Sequence, residues 1–190
     1  MKLVVALLVG LVPFVAVSAE AQRPISDTGV EEIYVLRSVR LSRVSATDFC
    51  AEGRIGFPGT TAEDRYDFKA VTARPADGRV TEASGPTVGH LHTCLGATSD
   101  PLVLNFYVEG DVSGVPLTGR GDCRTTGREF PEPGITPWTC RLDLTGLPTR
   151  FVGGYLTSNT VLSRAVLGSV SDPDGYTQPS IATIRLWKKR

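Results

Sequence analysis

Residues 102–109 read Leu-Val-Leu-Asn-Phe-Tyr-Val-Glu, and their side chains alternate in polarity with a period of two. One parity holds Leu102, Leu104, Phe106 and Val108, which is the pattern of a strand with one buried face. Gly110-Asp111 and Ser113-Gly114 follow and predict turns that return the chain into residues 115–118. This stretch therefore predicts two antiparallel strands with a short connection.

Similar strand signals recur on both sides of this stretch. Further strands are predicted at residues 33–41, 66–72, 79–83, 141–144, 152–162 and 181–187. In the first of them, the expected buried face consists of Ile33, Val35, Val39 and Leu41. Ala76-Asp77-Gly78 predicts a hairpin turn between residues 66–72 and 79–83. The chain holds 20 glycines and 13 prolines, and residues 161–170 are the only short helix that the pattern favours.

This succession of strands predicts an all-β fold for residues 31–190, a single antiparallel β-barrel or β-sandwich of about 8–10 short strands. Gly153-Gly154 lies inside a strand-like segment and favours the barrel, because glycine relieves crowding where a sheet coils. A plain bulge or turn would use the same pair. The sandwich therefore stays an alternative.

The first residues have the pattern of a cleavable signal peptide. Lys2 is the only charge before Glu20, residues 3–17 are almost wholly apolar, and Val17-Ser18-Ala19 supplies small residues for cleavage. We expect a leader of residues 1–19, cut after Ala19 or after Ala21, and an irregular lead-in over residues 20–30. A helix of residues 3–17 would be roughly 22 Å long, too short to span a bilayer. The predicted location is secreted or periplasmic, without a membrane span.

Export determines how the four cysteines are interpreted. Cys50, Cys94, Cys123 and Cys140 contain no Cys-x-x-Cys motif, and an oxidising compartment favours their pairing into two disulfides. Three pairings are possible. We favour Cys50 with Cys94 and Cys123 with Cys140, because the second bridge would close a segment rich in proline and glycine.

The charge balance argues against a nucleic-acid partner. The chain has 20 basic and 20 acidic residues, and loss of a leader that contains Lys2 would leave a net charge of −1. This balance produces no long-range field for nucleic acid or anionic lipid. Adjacent carboxylates such as Glu63 and Asp64 would point to opposite faces of a strand, and we expect both to be solvated. Arg120-Gly121-Asp122, a tripeptide of some adhesive proteins, is predicted to be a tight turn.

His90 and His92 are two residues apart and would share one face of a strand. They are a weak candidate for zinc or copper binding, which would need a third ligand such as Glu109 or Asp122. The alternative is two neutral histidines that form hydrogen bonds on a partly exposed strand. We expect no metal and no cofactor.

Tyr155, Thr157 and Asn159 share one face of another predicted strand. Together with His90 and His92, they are the predicted ligand-binding residues, because a pocket inside a barrel would combine apolar walls with a few polar groups. The alternative is a polar stripe that faces solvent.

No catalytic motif is present: the chain has no Gly-x-Ser-x-Gly, no His-Glu-x-x-His and no phosphate-binding glycine loop. We therefore expect an exported domain that binds a small molecule or a surface component. One alternative is a small barrel enzyme of the cyclase or isomerase type, with His90, His92, Tyr155 or Arg185 meeting in a cavity. The other is a structural or adhesive module with an unpaired edge strand or an exposed apolar patch. The sequence makes no prediction of oligomeric state.

Overall fold

The computed structural model describes residues 24–44, 47–58, 60–73, 80–81, 85–125, 135–163 and 180–190. Two helical turns lie in these residues, a 3₁₀ turn at Asp48–Cys50 and α1 at Glu52–Ile55. The strands are β1 Ser26–Asp27, β2 Glu31–Val44, β3 Thr60–Ala70, β4 Thr72–Ala73, β5 Val80–Thr81, β6 Gly89–Ala97, β7 Val103–Val112, β8 Val115–Arg124, β9 Ile135–Thr145, β10 Phe151–Ser163 and β11 Ser180–Lys188.

Eight of these strands form a closed antiparallel barrel. β2, β3 and β6 to β11 each pair with the next barrel strand along the chain, and β11 pairs with β2 to close the sheet. The predicted all-β fold is confirmed, and of its two architectures the structure has the barrel. Its strands are 9 to 14 residues long, because the sheet continues through several positions where turns were predicted.

The predicted hairpin near residue 77 is confirmed in its pairing, since β4 and β5 are antiparallel neighbours; Ala76-Asp77-Gly78 itself lies outside the described residues. β10 continues to Ser163, so the helix predicted at residues 161–170 is wrong over its first three positions, and the remainder lies outside the described residues. The predicted leader also lies outside them. In the lead-in, β1 pairs with β2.

The two ends of the barrel differ in how they are filled. At the end with the tight turn of Ser113 and Gly114, both with positive φ, buried apolar side chains fill the interior. We call this the closed end, and its core contains Leu36, Val112, Val115, Leu117, Leu142, Leu144, Ile184 and Leu186. The opposite end, where β2, β6, β8 and β10 finish, is the open end.

The predicted buried face of β2 is wrong for Ile33, Val35 and Val39, which are only partly covered. Tyr34, Leu36 and Ser38 point into the barrel instead, at 6 %, 0 % and 1 % exposure. The register between β2 and β3 breaks between Ser38 and Arg40, so no single parity holds along the whole strand.

Gly110 and Gly121 lie within strands, so the turns predicted at Gly110-Asp111 and Arg120-Gly121-Asp122 are wrong. A Cβ on Gly121 would lie 1.9 Å from the carbonyl oxygen of Arg141, and one on Gly110 would lie 1.9 Å from that of His90. Only glycine allows neighbouring strands to approach so closely where the sheet coils. These glycines therefore serve barrel closure rather than chain reversal.

We expect Gly121→Ala to lower the free energy of unfolding by about 1–3 kcal/mol or more, because β8 and β9 must separate to admit the methyl group. Urea unfolding followed by circular dichroism measures the change. Gly53→Ala is the matched control, since a Cβ at Gly53 in α1 meets nothing within 4 Å. Equal midpoints for the two variants would contradict the close approach of the strands.

Candidate functional site

A cavity lies inside the barrel near the open end. The centres of water-sized molecules can occupy about 60 Å³ of this cavity. The atom-free space around that volume, including the mouth, measures about 660 Å³. Most of its lining is apolar and aromatic: Tyr66, Phe68, Leu91, Leu95, Leu104, Phe106, Val108, Trp138, Leu156, Ala182 and the bridged Cys123 and Cys140. The interior thus changes from a solid core to a hollow one along the barrel axis.

Ser158, Thr160 and Ser180 place hydroxyl groups in the lining, and Ser38 is hydrogen-bonded to Ser180. The Thr160 hydroxyl donates to the Ser180 hydroxyl oxygen at 2.9 Å, and the Ser180 amide donates to the Ser38 hydroxyl oxygen at 2.9 Å. Ser158 also lines the cavity, on the same strand as Thr160. We call Ser38, Ser158, Thr160 and Ser180 the hydroxyl cluster. It spans the adjacent strands β10, β11 and β2.

Asp64 and Thr93 form a second polar part of the lining. They are paired across β3 and β6, and the Thr93 hydroxyl donates to the backbone oxygen of Asp64 at 3.2 Å. Asp64 is 1 % exposed, so the expectation that its carboxylate is solvated is wrong. The strand turns this side chain into the barrel.

The hydroxyl cluster has apolar neighbours on its own strands and on adjoining strands of the wall. The hydroxyl cluster lies on β10, β11 and β2, whereas Trp138, Phe106 and Leu104 lie on β9 and β7. In barrel order β10, β11 and β2 are contiguous, β9 adjoins β10, and β8 separates β9 from β7. Leu156 and Ala182 add apolar side chains on β10 and β11 themselves. A molecule in the cavity would therefore meet the hydroxyl groups beside aromatic and aliphatic side chains.

Both predicted disulfides are confirmed, and they lie on opposite faces of the barrel wall. Cys123 and Cys140 face each other across β8 and β9 and line the cavity. Cys50 and Cys94 join the segment after β2 to the outer face of β6. The Cys50–Cys94 bridge holds residues 47–58 against the barrel. We call these residues the outer clasp.

The outer clasp covers a small hydrophobic cluster of its own. Cys50 and Ile55 pack with Cys94 and Tyr107. The Phe49 ring stacks on the His92 ring with centroids 3.6 Å apart. Clasp contacts thus include one of the two histidines that the sequence analysis singled out.

The clasp also forms hydrogen bonds to a buried carboxylate. Glu63 is 2 % exposed, and it accepts hydrogen bonds from the Thr47 amide and hydroxyl at 2.8 Å. His92 Nε2 lies 2.7 Å from the Glu63 Oε1 atom. Burial alone would raise the pKa of Glu63, but the bonds from Thr47 and His92 outweigh it and hold the pKa below its usual range. The expectation that Glu63 is solvated is therefore wrong.

The structure gives the proposed metal ligands other partners. His90 Nδ1 lies 2.9 Å from Asp67 Oδ1 on the exposed wall. Glu109 accepts hydrogen bonds from Arg54 at 2.7 Å and from the Tyr107 hydroxyl at 2.9 Å, and the Arg54 bond lowers the pKa of Glu109. Asp122 pairs with Arg124. Within the described parts of the chain, no three His, Cys, Asp or Glu residues are grouped to hold a metal ion.

Tyr155, Thr157 and Asn159 lie on the outer face of β10, because the alternate residues Leu156, Ser158 and Thr160 line the cavity. The Tyr155 hydroxyl accepts a hydrogen bond from Arg185 at 3.1 Å. Asn159 Oδ1 accepts one from the Thr139 hydroxyl at 3.0 Å. Ligand binding by these three residues stays a prediction, and it would concern the outer wall.

The structure does not bring His90, His92, Tyr155 and Arg185 to one cavity. Arg185 lies on the same outer wall as Tyr155, and its guanidinium donates to both carboxylate oxygens of Glu31. Each of the eight barrel strands, as described, has a neighbour on both sides, so the barrel offers no unpaired edge. The polar cavity residues that the sequence analysis did not assign to a site are Asp64, Thr93, Ser158, Thr160 and Ser180.

Comparisons with protein-family models, with curated proteins and with solved structures give no match to this chain. Among the described residues, no helix is both long enough and apolar enough to cross a membrane. The geometry of the cavity and of the outer wall is what bears on function.

We expect Glu63→Gln to lower the free energy of unfolding by about 2 kcal/mol at pH 7, because it weakens the charge-assisted bonds to Thr47 and His92. The pKa of Glu63 is lower in the folded chain than in the unfolded one. Its contribution is therefore complete at neutral pH and is lost as the pH falls through the folded-state value. The difference between the two proteins should shrink below about pH 4.

Urea unfolding at several pH values measures this difference. Asp67→Asn is the control on the same strand, since the Asp67 and His90 side chains are 34 % and 61 % exposed, and exposed pairs contribute about 0–1 kcal/mol. A Glu63→Gln effect that is independent of pH, or no larger than that of Asp67→Asn, would contradict the role given to Glu63.

Proposed function

We propose that the protein binds a small, largely apolar molecule in the cavity at the open end of the barrel. The observation that supports this most directly is the contrast between the two ends of one continuous interior. Side chains fill the closed end, whereas the open end keeps a hollow lined by aromatic and aliphatic groups with a few polar ones. Small-molecule sites have this composition.

The size of the cavity limits what it can enclose. About 60 Å³ open to the centres of water-sized molecules corresponds to on the order of four to six such groups. This space suits a single ring or the end of a longer chain. A longer molecule would extend through the mouth into the remaining atom-free space.

Two disulfides and a closed sheet support a cavity that exists before the ligand arrives. The Cys123–Cys140 bridge holds β8 and β9 together within the lining itself. A preformed site loses less conformational entropy on binding than a mobile one. Disulfides form and persist in oxidising compartments, which together with the leader predicted at residues 1–19 supports secretion or a periplasmic location.

A small barrel enzyme is the second candidate, and one observation favours it. Asp64 places a carboxylate in the cavity wall, where an isomerase or cyclase would need a group that moves a proton. Incubation with an extract of apolar metabolites, followed by mass spectrometry, separates the candidates. Depletion of up to one molecule per chain indicates binding. Turnover beyond that, stopped by Asp64→Asn, indicates catalysis.

Ala182→Leu tests whether the cavity is the binding site. Ala182 lines the cavity and is 1 % exposed, so the larger side chain would fill part of the hollow. We expect the affinity for toluene, measured by isothermal titration calorimetry, to fall at least about tenfold. Thermal unfolding checks that the fold is retained.

The matched control is Thr183→Leu, one position further along β11 and on the outer face of the barrel. It adds an apolar side chain without reaching the interior, so toluene affinity should not change. Equal losses in both variants, or no loss in Ala182→Leu, would overturn the assignment of the site.

A further inference from the structure

We infer that the ligand is a neutral ring compound that carries a hydroxyl group, an alcohol or a phenol, and that its hydroxyl binds at the hydroxyl cluster. This inference rests on the proposed function and names the chemical class that the cavity accepts. It follows from three features of the lining: unused hydrogen-bonding capacity, the shape of the adjoining wall, and the absence of charge within the hydroxyl cluster.

The first feature is the hydrogen bonding of the hydroxyl cluster. Thr160 uses its proton on the Ser180 oxygen, which leaves the Ser180 proton to be donated elsewhere. Among the described residues, no hydrogen bond joins the Ser158 hydroxyl to another side chain or backbone group, although Ser158 is only 7 % exposed and faces the cavity. Hydroxyl groups shielded from bulk water are stabilised by a polar partner. A ligand hydroxyl, which both donates and accepts, fits this need.

The second feature is the wall that adjoins the hydroxyl cluster. In the register of β9 and β10, Thr160 lies opposite Trp138, and Ser158 lies opposite Cys140. The indole and the disulfide thus border the hydroxyl groups directly. Flat aromatic faces and polarisable sulfur pack well against a ring. A ring with one hydroxyl would place its edge on the cluster and its body on this wall.

The third feature is that Ser38, Ser158, Thr160 and Ser180 carry no charge. An ionised ligand group would lose its hydration on entry, and these hydroxyl groups supply only dipoles in return. A neutral hydroxyl loses far less, and it recovers hydrogen bonds of the same kind. The cluster therefore favours an alcohol or phenol over a carboxylate or phosphate.

The test compares p-cresol with toluene, which share the ring and the methyl group and differ only in the hydroxyl. Isothermal titration calorimetry on the full chain should give an affinity for p-cresol about tenfold higher than for toluene, as one or two added hydrogen bonds provide. Ser158→Ala should lower the p-cresol affinity about three- to tenfold and leave the toluene affinity unchanged. Thr183→Val, on the outer face of the neighbouring strand β11, should change neither.

Each other outcome overturns a defined part of the inference. Equal affinities for p-cresol and toluene overturn the ligand class but leave the proposed function standing. A p-cresol preference that survives Ser158→Ala, with the fold verified by thermal unfolding, overturns the assignment to the hydroxyl cluster. Binding of neither compound overturns the inference together with the proposed function.

Discussion

The pairing of β11 with β2 closes the sheet, and the other features of the molecule depend on that closure. Seven residue pairs, from Ile181 with Arg37 to Trp187 with Glu31, define this seam. Side chains reinforce it, because Arg185 binds Glu31 on the outside and the Ser180 amide binds Ser38 on the inside. Closure gives every strand one inner and one outer face. It therefore determines which residues of each strand face the interior.

Glu63 and Asp64 show how the inner and outer faces of one strand give two adjacent carboxylates different surroundings. Glu63 points outward, where Thr47 and His92 bind its carboxylate under the outer clasp. Asp64 points inward and becomes part of the cavity wall. Two neighbouring carboxylates thus belong to a structural contact and to a candidate binding site. The two side chains lie on opposite faces of the same strand, one under the clasp and one in the cavity wall.

The sequence was sufficient for the class of fold and for the disulfide pairs, because alternation and loop composition are local signals. It was insufficient for the register, which depends on close approaches such as that of Gly121 to Arg141. On β10 both parities mix apolar and polar residues, so Tyr155, Thr157 and Asn159 fitted a pocket as well as Ser158 and Thr160 did. Only closure of the barrel decides between the two sets. The carboxylate of Glu63 was missed for a similar reason, since the clasp that covers it has no periodic pattern.

The alternation along β10 from Gly154 to Thr160 has a consequence for how the chain can vary in length. Inserting one residue between Tyr155 and Ser158 would reverse the orientation of every later position in the strand. Asn159 would then enter the cavity, and the Ser158 hydroxyl would leave it. An insertion in this part of β10 therefore changes which side chains line the cavity, unless a β-bulge absorbs the extra residue.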